Sequence, residues 1–115
     1  MKEAKTIFCD IDGCLIEHQN YYNNNDIKLL DGTLEKIKEW DRNGYNLILT
    51  TGRRESSRKI TEQQLSKIGI TYDCLIMGLG PGTRVLINDL KPNNKKETAI
   101  SFNLERNTGI SDIKI

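Results

Sequence analysis

Apolar positions along this chain fall in short runs separated by glycines and polar clusters, and the spacing within each run names an element. "KTIFCD" (Lys5–Asp10) is β-branched and aromatic with little polar alternation, the pattern of a strand buried on both faces. "DGTLEKIKEWDRNG" places Leu34, Ile37 and Trp40 at helical spacing, with Leu30 just before and Gly44 where a C-terminal cap belongs. "YNLILTTG" reads as a second buried strand ended by Gly52. "RRESSRKITEQQLSKIG" reads as a second helix, with Ile60, Leu65 and Ile68 on a thin apolar stripe and Gly69 as its cap. Three further strands are expected in "YDCLIMG", "RVLIND" and "TAISFNL", with "GLGPGT" as a tight turn and "LKPNNKKE" as a loop. The polar, asparagine-rich stretch at about residues 16–27 reads as a loop or small hairpin flap. The tail "ERNTGISDIKI" carries no clear pattern.

Strands alternating with helices imply right-handed crossovers and a parallel sheet. The expected architecture is α/β: a three-layer, Rossmann-like fold around a mostly parallel sheet of about five strands. A length of 115 residues suits one domain spanning 1–115.

Composition narrows the partners. With 17 basic and 16 acidic residues the net charge is +1, which lacks the basic excess of a nucleic-acid-binding domain. No nucleic acid is therefore expected, while a small anionic substrate needs only a local positive site. No apolar run is long enough to span a bilayer, and "MKEAKTIF" has no signal-peptide core, so a cytoplasmic protein is the expectation. Cys9, Cys14 and Cys74 form an odd set without framework spacing, which suits free thiols in a reducing compartment. A zinc site is not expected, since there is no CxxC and the one histidine is His18.

The candidate chemistry lies at strand ends. In an open parallel sheet, ligands bind at the carboxyl ends of the strands. The first run ends in Asp10 and Asp12, the second in Thr50-Thr51-Gly52, and the fourth in Asn88-Asp89. Folding would bring these together as a hard oxygen site suited to Mg²⁺, beside a hydroxyl and N–H groups that suit phosphate. Each cluster alone is more often a turn or only an even bet; three together are not. Arg53 and Arg54 open the second helix, where positive charge is unfavourable unless an anion lies close, so Arg53 is a candidate substrate contact. "GLGPG" precedes a strand and does not open a helix, so it is no dinucleotide loop.

"FCDIDGCLI", "LILTTGR" and "VLIND" resemble, in order and spacing, three signatures of the haloacid dehalogenase superfamily of phosphohydrolases, over about Thr6 to Pro92. The resemblance implies Asp10 as nucleophile and Asp12 as general acid and base. It implies Mg²⁺ held by Asp10, Asp89, the Asp12 carbonyl and Asn88, and phosphate held by Thr51 beside Gly52. Gly13 would let the chain turn away beneath the substrate. Three departures stand out. Cys14 replaces a usual threonine, Asn88 replaces an acid or glycine, and the customary lysine has no counterpart. Lys91 is the preferred replacement cation, with Arg84 the other candidate. The short insertion between the first two motifs resembles that of capless members, among them small phosphatases encoded with surface-polysaccharide genes. A phosphosugar is therefore the leading substrate class. The alternatives are a nucleotide or nucleic-acid 3′-phosphatase, and a non-catalytic domain that binds a phosphosugar or a partner protein. A homo-oligomer that supplies a missing site wall stays open.

Overall fold

The computed structural model describes residues 3–19, 26–93 and 95–115. Tyr21, Tyr22 and the middle of the expected flap lie outside the described residues. Three strands, β1 (Thr6–Asp10), β2 (Asn46–Thr50) and β3 (Cys74–Ile76), form a parallel sheet in the order β1-β2-β3. Helix α1 (Thr33–Arg42) connects β1 to β2; a 3₁₀ turn at Glu55–Ser57 and helix α2 (Arg58–Ile68) connect β2 to β3. The α/β class and the parallel sheet are as expected. No helix among the described residues is long and apolar enough to cross a membrane.

The register pairs Ile7 with Leu47, Cys9 with Leu49, and Leu49 with Leu75, so these residues share one face of the sheet. Parallel strands laid down in one direction need right-handed crossovers, which put both connecting helices on that same face. Ile37 and Trp40 of α1 and Leu65 of α2 accordingly join Cys9, Leu47, Leu49 and Leu75 in one core. The opposite face is open: Phe8 is 57% exposed, Ile76 38%, and Cys74 is exposed as well. The described residues therefore form two of the three expected layers, and β1 is buried on one face instead of both.

Local chemistry sets the helix ends. Thr33 opens α1 with its hydroxyl turned inward, donating to the Leu15 carbonyl at 2.7 Å and to Leu30 at 3.0 Å. Gly44 follows α1 at φ 73°, and Gly69 ends α2 at φ 86°, the left-handed conformation that glycine adopts without a Cβ clash. Helix α2 starts at Arg58, later than the sequence pattern suggests. Its inward residues are Thr61, Gln64 and Leu65, whereas Ile60 and Ile68 are only half-buried.

The fourth and fifth runs differ from expectation. Residues 84–89 and 98–104 form no strand, and Val85 and Ile87 are 79% and 88% exposed. A strand needs a ladder partner, and here local bonds compete with one. The Asn88 amide donates to the Thr98 carbonyl at 3.4 Å, and the Thr98 hydroxyl donates to the Asp89 carbonyl. Among the described residues, the outer edge of β1 has no strand beside it.

Candidate active site

The end of β1 is where the chain stops behaving as a strand. The Ile11 N–H still donates to the Thr50 carbonyl at 3.1 Å, continuing the ladder one residue past β1. Then the chain curls back: Leu15 and Cys14 donate to the Ile11 carbonyl at 2.9 and 3.3 Å, and Gly13 donates to Ile16 at 2.8 Å. Gly13 takes φ 90°, and a Cβ there would meet the Arg106 side chain at 3.2 Å. Only glycine suits that corner.

This curl separates the two acids. Asp12 turns toward the end of β2 and is gripped by Arg53: Nε donates to Oδ2 at 3.0 Å and Nη2 to Oδ1 at 2.8 Å. Thr51 adds its hydroxyl to Oδ2 at 3.4 Å and accepts the Arg53 N–H at 3.1 Å. Arg53 is 3% exposed, and its Nη1 donates to Thr61 Oγ1 at 3.0 Å and to Gln64 Oε1 at 2.8 Å. The anion that Arg53 needs is Asp12, which explains the arginine without a substrate contact. Thr51 is 1% exposed, so its hydroxyl serves this network.

Asp10 stays at the mouth. Its residue is exposed overall, yet its carboxyl sits low enough that desolvation, and then the charge of Asp12, raise its pKa above the ordinary value of 3.8. Arg84 and His18 oppose the rise, as does the Ile11 N–H. Arg84 is brought there by a glycine strap: its Nη1 donates to the Gly80 carbonyl at 3.0 Å and to Gly82 at 2.6 Å. The strap lies on Gly52, where a Cβ would fall 2.8 Å from the Gly80 oxygen. Gly78 donates to the Arg53 carbonyl at 2.7 Å and Leu79 to Thr51 at 3.2 Å, fixing it further. Lys91 lies elsewhere, with its Nζ 3.1 Å from Glu3.

Cys9 and Cys14 flank this acidic corner. Burial and neighbouring negative charge push the Cys9 thiol up to about 12 and the Cys14 thiol up to about 11. Both remain protonated and inert at neutral pH.

Sequence reasoning missed Thr61, Gln64 and Asn107. Two polar residues within the thin apolar stripe of α2 were the available signal for the first pair. Asn107 had none, since it arrives from the patternless tail. Its N–H donates to the Gly13 carbonyl at 2.9 Å, and its Oδ1 accepts the His18 N–H at 2.8 Å.

The metal expectation meets a partial donor set. Asp10 offers a carboxylate at the mouth, but Asn88 and Asp89 sit on the exposed 84–93 run. No group of three or more His, Cys, Asp or Glu among the described residues could hold a metal ion. As arranged, these residues do not fit Mg²⁺, and no step is derived through it. Two hollows, of about 140 and 90 Å³, lie away from this corner, around Trp40 and Tyr45 and toward the amino end of β2.

Among proteins with curated descriptions, none matches this chain. Solved structures do. A chain of the Pnkp1/Rnl/Hen1 complex, also described as an RNA repair complex, is 32% identical over 64% of this chain, with a TM-score of 0.57. The match spans 27% of that longer chain. A protein of Vibrio cholerae is 20% identical, at a TM-score of 0.52, over 65% of this chain and 70% of its own. It supports the fold alone. The family model of the haloacid dehalogenase-like hydrolases matches residues 7–107, so this chain, with its curl after β1 and its two divided acids, belongs to that family.

Proposed function

We propose that this chain is a phosphomonoesterase that works through an aspartyl-phosphate on Asp10. The observation that carries the reading is the division of labour between the acids. Asp12 is fixed by Arg53 and Thr51, while Asp10 is left exposed at the strand end, within the electrostatic reach of Arg84. An Asp10 oxygen attacks phosphorus, the bond from phosphorus to the leaving oxygen breaks, and the Asp12 carboxyl gives that oxygen its proton. Water then surrenders a proton to Asp12 and attacks the phosphorus. The acyl-phosphate bond breaks, releasing inorganic phosphate and restoring the Asp10 carboxylate. Arg84 is the cation best supported to offset phosphate charge, because Asp10 already feels it and Lys91 is paired with Glu3.

Mg²⁺ is the cofactor of this reading. It requires the 84–89 run to pair with the open edge of β1, which would carry Asn88 and Asp89 toward Asp10. The exposed Val85 and Ile87 favour such a pairing, since it would bury them. A phosphosugar is the first substrate class, from the motif resemblance. A second reading, a 3′-phosphate at a nucleic-acid end, is favoured by the 32% identity to a chain of an RNA repair complex.

The test is turnover of an aryl phosphate, sugar phosphates and a 3′-phosphorylated oligonucleotide, with Mg²⁺ and with chelator. Asp10→Asn should abolish turnover, and chelation should do the same. Full activity in Asp10→Asn would remove the nucleophile, and with it the mechanism.

A further inference from the structure

Arg53 is neither spare nor at the surface, and the chain invests two buried polar residues of α2 in it. Thr61 and Gln64 are 0% and 5% exposed, on the inward face where an apolar helix would carry aliphatic residues. Both accept from Arg53 Nη1, which leaves Nε and Nη2 aimed as a fork at Asp12. A fork of this kind fixes a carboxylate in rotation as well as position, which a single point charge does not.

Counting lone pairs goes one step further. A carboxylate has about four acceptor positions, two on each oxygen. Asp12 Oδ2 takes both Arg53 Nε and the Thr51 hydroxyl, whereas Oδ1 takes Arg53 Nη2. Oδ2 thus faces two donors, the Thr51 hydroxyl at a long 3.4 Å, and Oδ1 faces one. We propose that Arg53, itself oriented by Thr61 and Gln64, is a positioning residue that presents Asp12 Oδ1 as the atom that carries the proton to the leaving group. This rests on the phosphomonoesterase reading above, and it assigns α2 a task in the reaction besides covering the sheet.

The prediction separates proton delivery from everything else in the site. A leaving group that departs readily as an anion needs no proton, whereas a poor one does. The measurement is kcat/KM for a series of aryl phosphates, from 2,4-dinitrophenyl to phenyl phosphate, in the wild type, Arg53→Lys, Gln64→Leu and Thr61→Val. Arg53→Lys keeps the charge and loses the fork. It should lose about 100-fold or more on phenyl phosphate, the scale of general-acid catalysis, and far less on the dinitrophenyl ester. Gln64→Leu and Thr61→Val should steepen the leaving-group dependence in the same direction by smaller factors. They also carry the test if Arg53→Lys does not fold. Equal losses across the series, or none, would overturn the assignment, because a merely structural residue lowers all substrates together. A wild type inactive on the whole series would instead remove the phosphomonoesterase reading, and the positioning role with it.

Discussion

Two stretches of this chain end in an aspartate after an apolar run, and they behave oppositely. Residues 6–12 are laddered to β2, packed on the core, and closed by an arginine fork. Residues 84–89 are as apolar, yet they stand exposed and are bonded locally, to Gly80 and Gly82 upstream and to Thr98 downstream. The difference is neighbours. The first run has β2 beside it and two helices beneath it, while the second has no strand beside it among the described residues. Apolar content makes a run capable of being a strand; a partner with a free edge and a covered face makes it one.

The contrast can be broken in several ways, the largest first. Arg53→Met should destabilise the fold by about 3–5 kcal/mol, because it breaks a charge pair whose arginine is buried and whose aspartate is part-buried. Urea unfolding would measure it. Trp40→Ala, in the core, should cost a similar ~3–5 kcal/mol, whereas Ile87→Ala should fall within about 0.5 kcal/mol. A large loss from Ile87→Ala would mean that the second run is already docked in solution.

Hydrogen exchange sharpens the same point with ligand present. Amides of 84–89 should exchange quickly in the free protein and slow markedly with Mg²⁺ and beryllofluoride, which mimic an aspartyl-phosphate. Amides of β1 should change little. Unchanged exchange at 84–89 would detach Asp89 from the proposed metal site.

A smaller effect concerns Asp10. Its folded pKa is raised, so its contribution to stability is fully present below the ordinary value of 3.8 and is lost as pH rises through the folded value. At neutral pH it is ionised against its surroundings. Asp10→Asn should therefore raise Tm modestly at pH 7, and that gain should vanish below the ordinary aspartate range. Smallest of all is a chemical contrast. Iodoacetamide at pH 8 should label exposed Cys74 first, with Cys9 and Cys14 slow, as peptide mass spectrometry would report.

Much of the packed region was legible because its signals are local. Periodicity and glycine caps marked β1, α1, β2, α2 and β3, and the glycines at 13, 44 and 69 do stand at positive φ. Sequence order also brought Asp12 and Thr51 together, since both close neighbouring parallel strands. The direction in which Arg53 faces was not legible. A charge at the start of a helical pattern asks for an anion, and two were on offer: a substrate and Asp12. Only the curl at Gly13 decides between them. The fate of 84–89 was not legible either, because strand formation depends on what lies alongside.

The tail has a consequence in time. Asn107 closes the Gly13 corner, Ile110 donates to the Asp31 carbonyl at 2.9 Å, and Gly109 presses so closely on Asp31 that a Cβ would fall 2.5 Å from its oxygen. The corner behind Asp10 is thus finished by residues some ninety positions later. On a ribosome, the first motif would emerge early and wait, with its sheet assembling, until the tail arrived to lock it. Contacts of such long separation slow folding. The corner that carries Asp10 and Asp12 should then acquire its final shape later than the sheet beside it.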